Sequence, residues 1–101
     1  MQFHVDITPS LPPEWSKERL TEMLQKETDA AIALMDRGVL LRIDRVVGRG
    51  GNFSIWETDS LEALDQFLNG LPLAPWLRFA VTPIVKHRVQ LAHDARRAGQ
   101  G

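Results

Sequence analysis

The 101 residues contain no cysteine, which excludes disulfides, thiol nucleophiles and cysteine-ligated metals together. An excess of one charge is also missing. Twelve Lys and Arg stand against thirteen Asp and Glu, so the net charge of -1 gives no electrostatic reason to expect a nucleic-acid partner. No apolar run is long enough to span a bilayer, and no basic segment followed by an apolar one opens the chain, so no membrane role is expected and the cytoplasm is the default location. The three histidines, His4, His87 and His93, lack a metal spacing. GRGG at 48–51 is too short for a phosphate loop and no helix directly follows it, and no GxSxG supplies a hydrolase nucleophile. What remains is ordinary globular usage, 44% hydrophobic and 25% charged, on a chain sized for one core.

Periodicity divides that chain into elements. Gln2 to Thr8 alternates, with Phe3, Val5 and Ile7 on one face and His4 and Asp6 on the other, as a half-buried strand does. Prolines at 9, 12 and 13 end it. A helix follows from about Glu14 or Trp15 to Arg37, with Gly38 suited to a left-handed cap. Leu40–Val47 and Asn52–Glu57 read as a hairpin around GRGG. Asp59 or Ser60 caps a second helix with the stripe Leu61, Leu64, Leu68 and Leu71, which LPLAP breaks before a last strand over Leu77–Val85. From Arg88 onward a frayed tail is expected, or an arm that orders only against another subunit. The order βαββαβ is the α+β, ferredoxin-like arrangement, one antiparallel four-stranded sheet with two helices on one face. The uncovered face favours self-association as a homo-oligomer, first of all a dimer.

Within LTEMLQKETDAAIALM (20–35), Leu20, Leu24, Ala31 and Leu34 form a helical stripe whose missing member is Glu27. An unpaired buried carboxylate costs several kcal/mol, so such a residue is kept at the edge, paired or used. Two readings follow. Either the helix rolls and Glu27 pairs with Lys26 or Arg42, or a partly desolvated Glu27, its pKa raised toward neutrality, is a general base for reversible proton transfer. In the second strand, simple alternation puts Leu41, Ile43, Arg45 and Val47 on one face and Leu40, Arg42, Asp44 and Val46 on the other. Arg42 and Asp44 suit an edge strand. Arg45, among apolar companions, either snorkels outward or presents its guanidinium to an acid, whether Glu27 or a bound carboxylate. Asn52 and Ser54 share a face with Trp56, which suits strand pairing or a pocket with hydrogen-bonding walls. LPLAPW reads as a proline-fixed turn delivering the last strand, with Trp76 a candidate for a pocket mouth.

FHV at 3–5, Leu11-Pro12, Glu27, Gly38, the arginine and glycine of RVVG at 45–48, NFS at 52–54, GLPLAPW at 70–76 and VTPIVKH at 81–87 resemble the muconolactone delta-isomerases, in order and with nearly matched spacing. The likeness covers residues 1–87, leaving 88–101 as tail or inter-subunit arm. It implies a dimeric α+β barrel that assembles further, commonly to decamers, works without a cofactor, and converts muconolactone to the 3-oxoadipate enol-lactone in aromatic degradation. It further implies Glu27 as the base that shuttles a proton from ring C4 to C2, with Arg45, Asn52 and Ser54 holding the substrate carboxylate and lactone oxygen and His87 contributing from the last strand or a subunit boundary. Where the family reads close to GxWRHLWRIxG, this chain reads GVLLRIDRVVG, so the tryptophans fall at Leu40 and Asp44 and the histidine at Arg42. The family's FPY is Ala74, Pro75, Trp76. These changes alter pocket shape and polarity. Two other classes fit such a scaffold: a non-catalytic ligand-binding or assembly module, and a cofactor-independent cyclase or oxygenase acting on a polycyclic aromatic. A compact pocket onto which Glu27 and Arg45 converge favours the isomerase, a long apolar cleft the polycyclic substrate, and a filled core the binding module.

Overall fold

The alternation of the first strand places Phe3, Val5 and Ile7 in the core, all three buried, while His4 and Asp6 face the other way. In the computed structural model, which describes residues 1–99, this strand is β1 (Gln2–Pro9). It pairs antiparallel with β3 (Asn52–Glu57) on one side and β4 (Leu77–Ile84) on the other, and β2 (Leu40–Arg45) adds to the far edge of β3. The strand order β2-β3-β1-β4 with all pairs antiparallel is the ferredoxin-like sheet.

Helices α1 (Lys17–Asp36) and α2 (Leu61–Asn69) cover one face. Ser16 caps α1 by accepting the Arg19 N–H, and Ser60 caps α2 by accepting that of Ala63. At the far end of α1, Gly38 takes φ 75° while its N–H donates to the Met35 carbonyl and that of Val39 to Leu34. This is the glycine-terminated Schellman closure, and it turns the chain directly into β2. Leu64, Leu68 and Leu71 pack with Phe3, Val5, Ile7, Leu40 and Trp56 to form the core, and Ala31 and Leu34 close over it from α1. Burying each such aliphatic or aromatic side chain contributes about 1.5–3 kcal/mol.

Three features depart from the expected pattern. A bulge between Leu40 and Arg42 breaks the simple alternation of β2, so that Leu40, Ile43 and Arg45 share the helix-covered side, opposite Trp56, Ser54 and Asn52. Residues Arg88–Gly99 form a helix, α3, and not a frayed tail; its side chains are almost all exposed, and residues 100 and 101 of the expected 88–101 arm lie outside the described residues. The uncovered sheet face is more polar than a purely apolar contact surface. It carries the ion pairs Arg42–Asp44 at 2.8 Å and Arg49–Asp6 at 3.1 Å, with the Arg49 guanidinium 5.6 Å from the Phe53 ring centre.

Candidate active site

The inward stripe of α1 comprises Leu20, Met23, Glu27, Ala30, Ala31 and Leu34, so the carboxylate does interrupt the apolar face. Neither neighbour proposed as its partner takes it. Lys26 lies 3.1 Å from Glu22 and Arg42 pairs with Asp44, and Glu27 has no salt bridge among the described residues. Its Oε1 instead accepts the backbone N–H of Leu73 at 3.0 Å. Burial raises the Glu27 pKa above the ordinary carboxylate value, and the Leu73 hydrogen bond opposes that rise only in part.

Glu27 opens onto a cavity of about 240 Å³ whose walls are almost wholly apolar, including Ile7, Leu24, Leu40, Ile43, Trp56 and Leu71. That is below the roughly 300–1,000 Å³ of pockets for drug-sized ligands, so the space suits a small molecule. Asn52 supplies the other polar side chain of the wall. Its Oδ1 is buried with no hydrogen-bond partner among the described residues, a condition natural interiors seldom tolerate without a use. Arg45 faces Asn52 across the β2–β3 pair, on the same side of the sheet, but is exposed and stands outside the cavity wall with no ion-pair partner among the described residues. Gly51 also borders the cavity. At its φ of 101° a Cβ would come within 2.2 Å of the Ile7 carbonyl oxygen, so only glycine fits where the hairpin presses against β1.

Residues 1–90 match the family model for muconolactone delta-isomerase. The chain belongs to the muconolactone delta-isomerase family. It is 30% identical over 96 residues to muconolactone delta-isomerase 2 of Acinetobacter lwoffii, covering 95% of this chain and 100% of that one, and 29% identical over 96 residues to the Pseudomonas putida muconolactone delta-isomerase, with the same coverage. Among solved structures, a muconolactone isomerase superposes with a TM-score of 0.80 at 31% identity, over 86% of this chain and 91% of the other.

Against the family pattern, Leu40 stands where a tryptophan is usual and forms part of the cavity wall, whereas Arg42 and Asp44 bond to one another on the opposite sheet face. Of the three altered positions, therefore, only Leu40 touches the cavity directly, beside the cavity-lining Ile43 of the same strand. The remaining candidates are dispersed. Ser54 is buried with its hydroxyl fully used, accepting from Trp56 Nε1 at 2.8 Å and lying 3.3 Å from the Val5 carbonyl, to which it donates. Trp76 packs edge-on against Trp15, ring centres 4.8 Å apart, beside a different groove. His87 is exposed just before α3, its Nδ1 accepting the Val89 N–H at 3.1 Å, beyond the end of β4 remote from the cavity-lining Leu77. Within one chain, then, Glu27 and Asn52 meet in the cavity and Arg45 stands near them, while Ser54, Trp76 and His87 do not reach it. Sequence reading missed the backbone donor of Leu73. The signal was present in LPLAP, where a proline at the second place of a turn leaves the next N–H unused.

Proposed function

We propose that this chain is an intramolecular isomerase that converts muconolactone, or a closely related small unsaturated lactone, to its enol-lactone without a cofactor. The carrying observation is a half-buried, unpaired carboxylate on the inner face of α1, opening onto a small apolar cavity that holds one other polar side chain, Asn52.

With the ring in the cavity, the Glu27 carboxylate removes the C4 proton and the electron pair moves through the ring, shifting the double bond and placing negative charge on the lactone carbonyl oxygen. The Glu27 carboxylic acid then returns the proton to C2. One group performs both steps because both carbons lie on the same edge of the ring, and its raised pKa lessens the penalty for holding the proton in between. The Asn52 side chain donates to the developing oxyanion through its Nδ2 N–H, the Oδ1 being an acceptor only; such donors typically contribute about 10²–10³ in rate, more so inside apolar walls. Arg45 holds the substrate carboxylate at the mouth, which keeps that charge out of the apolar interior. The chain works as a homodimer or higher homo-oligomer through the uncovered sheet face, where Phe53 and Ile55 lie among the ion pairs.

The test is turnover of muconolactone deuterated at C4. A single shuttling carboxylate transfers part of the label to C2 of the enol-lactone. Product free of label at C2 would replace the single base by two, and a folded protein that makes no product would overturn the reading.

A further inference from the structure

The segment Leu71-Pro72-Leu73-Ala74 is a type I turn. Ala74 N–H donates to the Leu71 carbonyl at 3.0 Å, and Leu73 holds φ -90° and ψ 0°, the values of the third residue of that turn. Pro72 occupies the second place, where its fixed φ suits the turn and no N–H is present. In this geometry the turn's own hydrogen bond leaves the third N–H without a partner. It is this N–H that meets Glu27 Oε1 at 3.0 Å, although Leu73 itself is only 4% exposed and lies 46 residues away in sequence.

We propose that the turn Leu71–Ala74 is a positioning device for the base, its Leu73 N–H fixing Oε1 so that Oε2 alone meets the ring. This rests on the role given to Glu27 above. A glutamate side chain has several rotatable bonds, and a carboxylate free to swing would present either oxygen at variable distance; anchoring one oxygen to a proline-held backbone removes that freedom. Leu71 and Leu73 border the same cavity, so one turn sets both the wall and the base. The N–H also favours the charged carboxylate, opposing in part the rise in pKa that burial imposes.

An ester in place of the Leu73 amide deletes this donor and keeps the side chain. With glutamate carboxyls labelled with ¹³C, and the Glu27 signal assigned by its loss in Glu27→Gln, the free protein is titrated without substrate. The Glu27 titration should move to higher pH, and the rising limb of kcat/KM should move with it. An ester at Leu71, whose N–H donates at 3.2 Å to the Leu68 carbonyl, controls for general weakening and should leave the titration in place. Pro72→Gly keeps the donor on a looser turn; if the Leu73 ester does not fold, this variant decides. It should lower kcat toward the roughly 10²-fold cost of a 1 Å misplacement and shift the Glu27 titration upward. A Glu27 titration unmoved in the folded Leu73 ester, or titration and kcat both unmoved in Pro72→Gly, would overturn the proposal. Because the titration needs no substrate, it stands or falls separately from turnover of muconolactone.

Discussion

Asn52 and Ser54 are two residues apart on the same face of β3, yet their side chains do different things. Ser54 satisfies the buried Trp56 Nε1–H, so Ser54→Ala leaves that donor unpaired and should cost about 1–3 kcal/mol in chemical unfolding with kcat unchanged. Asn52 makes no such internal bond through Oδ1. Asn52→Ala should therefore leave stability nearly intact and, by removing the Nδ2 donor, lower kcat by about 10²–10³. Equal effects of the two substitutions on kcat would remove the distinction. For Glu27 the sign of the pH dependence is fixed by the direction of its shift. A carboxyl whose folded pKa lies above its unfolded one binds more protons in the folded state, so it subtracts stability as pH rises through the window between those two values. Glu27→Gln removes that burden and still offers an oxygen to the Leu73 N–H. Its melting temperature should exceed that of the parent protein at pH 7, with the difference shrinking as the pH falls below the ordinary glutamate range; a lower melting temperature at pH 7 would contradict a net cost of burial.

Among the elements, β2 shows where sequence and structure part. Alternation assigned Arg45 to the face of Leu41 and Leu40 to the face of Arg42, and the bulge at Leu41 changes this, because one extra residue shifts every later or earlier side chain to the other side. Nothing in LLRIDR announces a bulge, so Leu40 became visible as a cavity wall only in three dimensions. Glu27 was legible because a helical stripe has a fixed period and a carboxylate interrupts it conspicuously. LPLAP announced a turn with a spare N–H but not where that N–H goes, since its partner Glu27 lies 46 residues away on α1. At the edge strand, Arg45 is exposed and unpaired among the described residues, and it faces the cavity-lining Asn52 across the β2–β3 pair. Arg45→Gln should raise KM for muconolactone with little change in kcat, and added salt should raise KM in the parent protein more than in the variant.

For the molecule as a whole, the ferredoxin-like arrangement of one antiparallel four-stranded sheet followed from element order and hydrophobic period, while the character of the open sheet face did not. Its ion pairs join residues as distant as Asp6 and Arg49, which only the assembled sheet brings together. α3 was likewise unforeseen as a helix, because its glycine-ended, polar composition lacks a strong apolar stripe. Both surfaces leave a single chain with much exposed area, including Val85, Val89 and Leu91 near or on α3. Light scattering at micromolar concentration should give a mass of at least two chains, and a clean monomer would contradict assembly through these surfaces. The family reaction and its base are tested together by measuring kcat/KM for muconolactone, parent beside Glu27→Gln, followed as formation of the enol-lactone. Turnover in the parent that falls by about 10²–10⁴ in a folded variant is the result expected of a shuttling carboxylate. Equal turnover in both would contradict the role of Glu27.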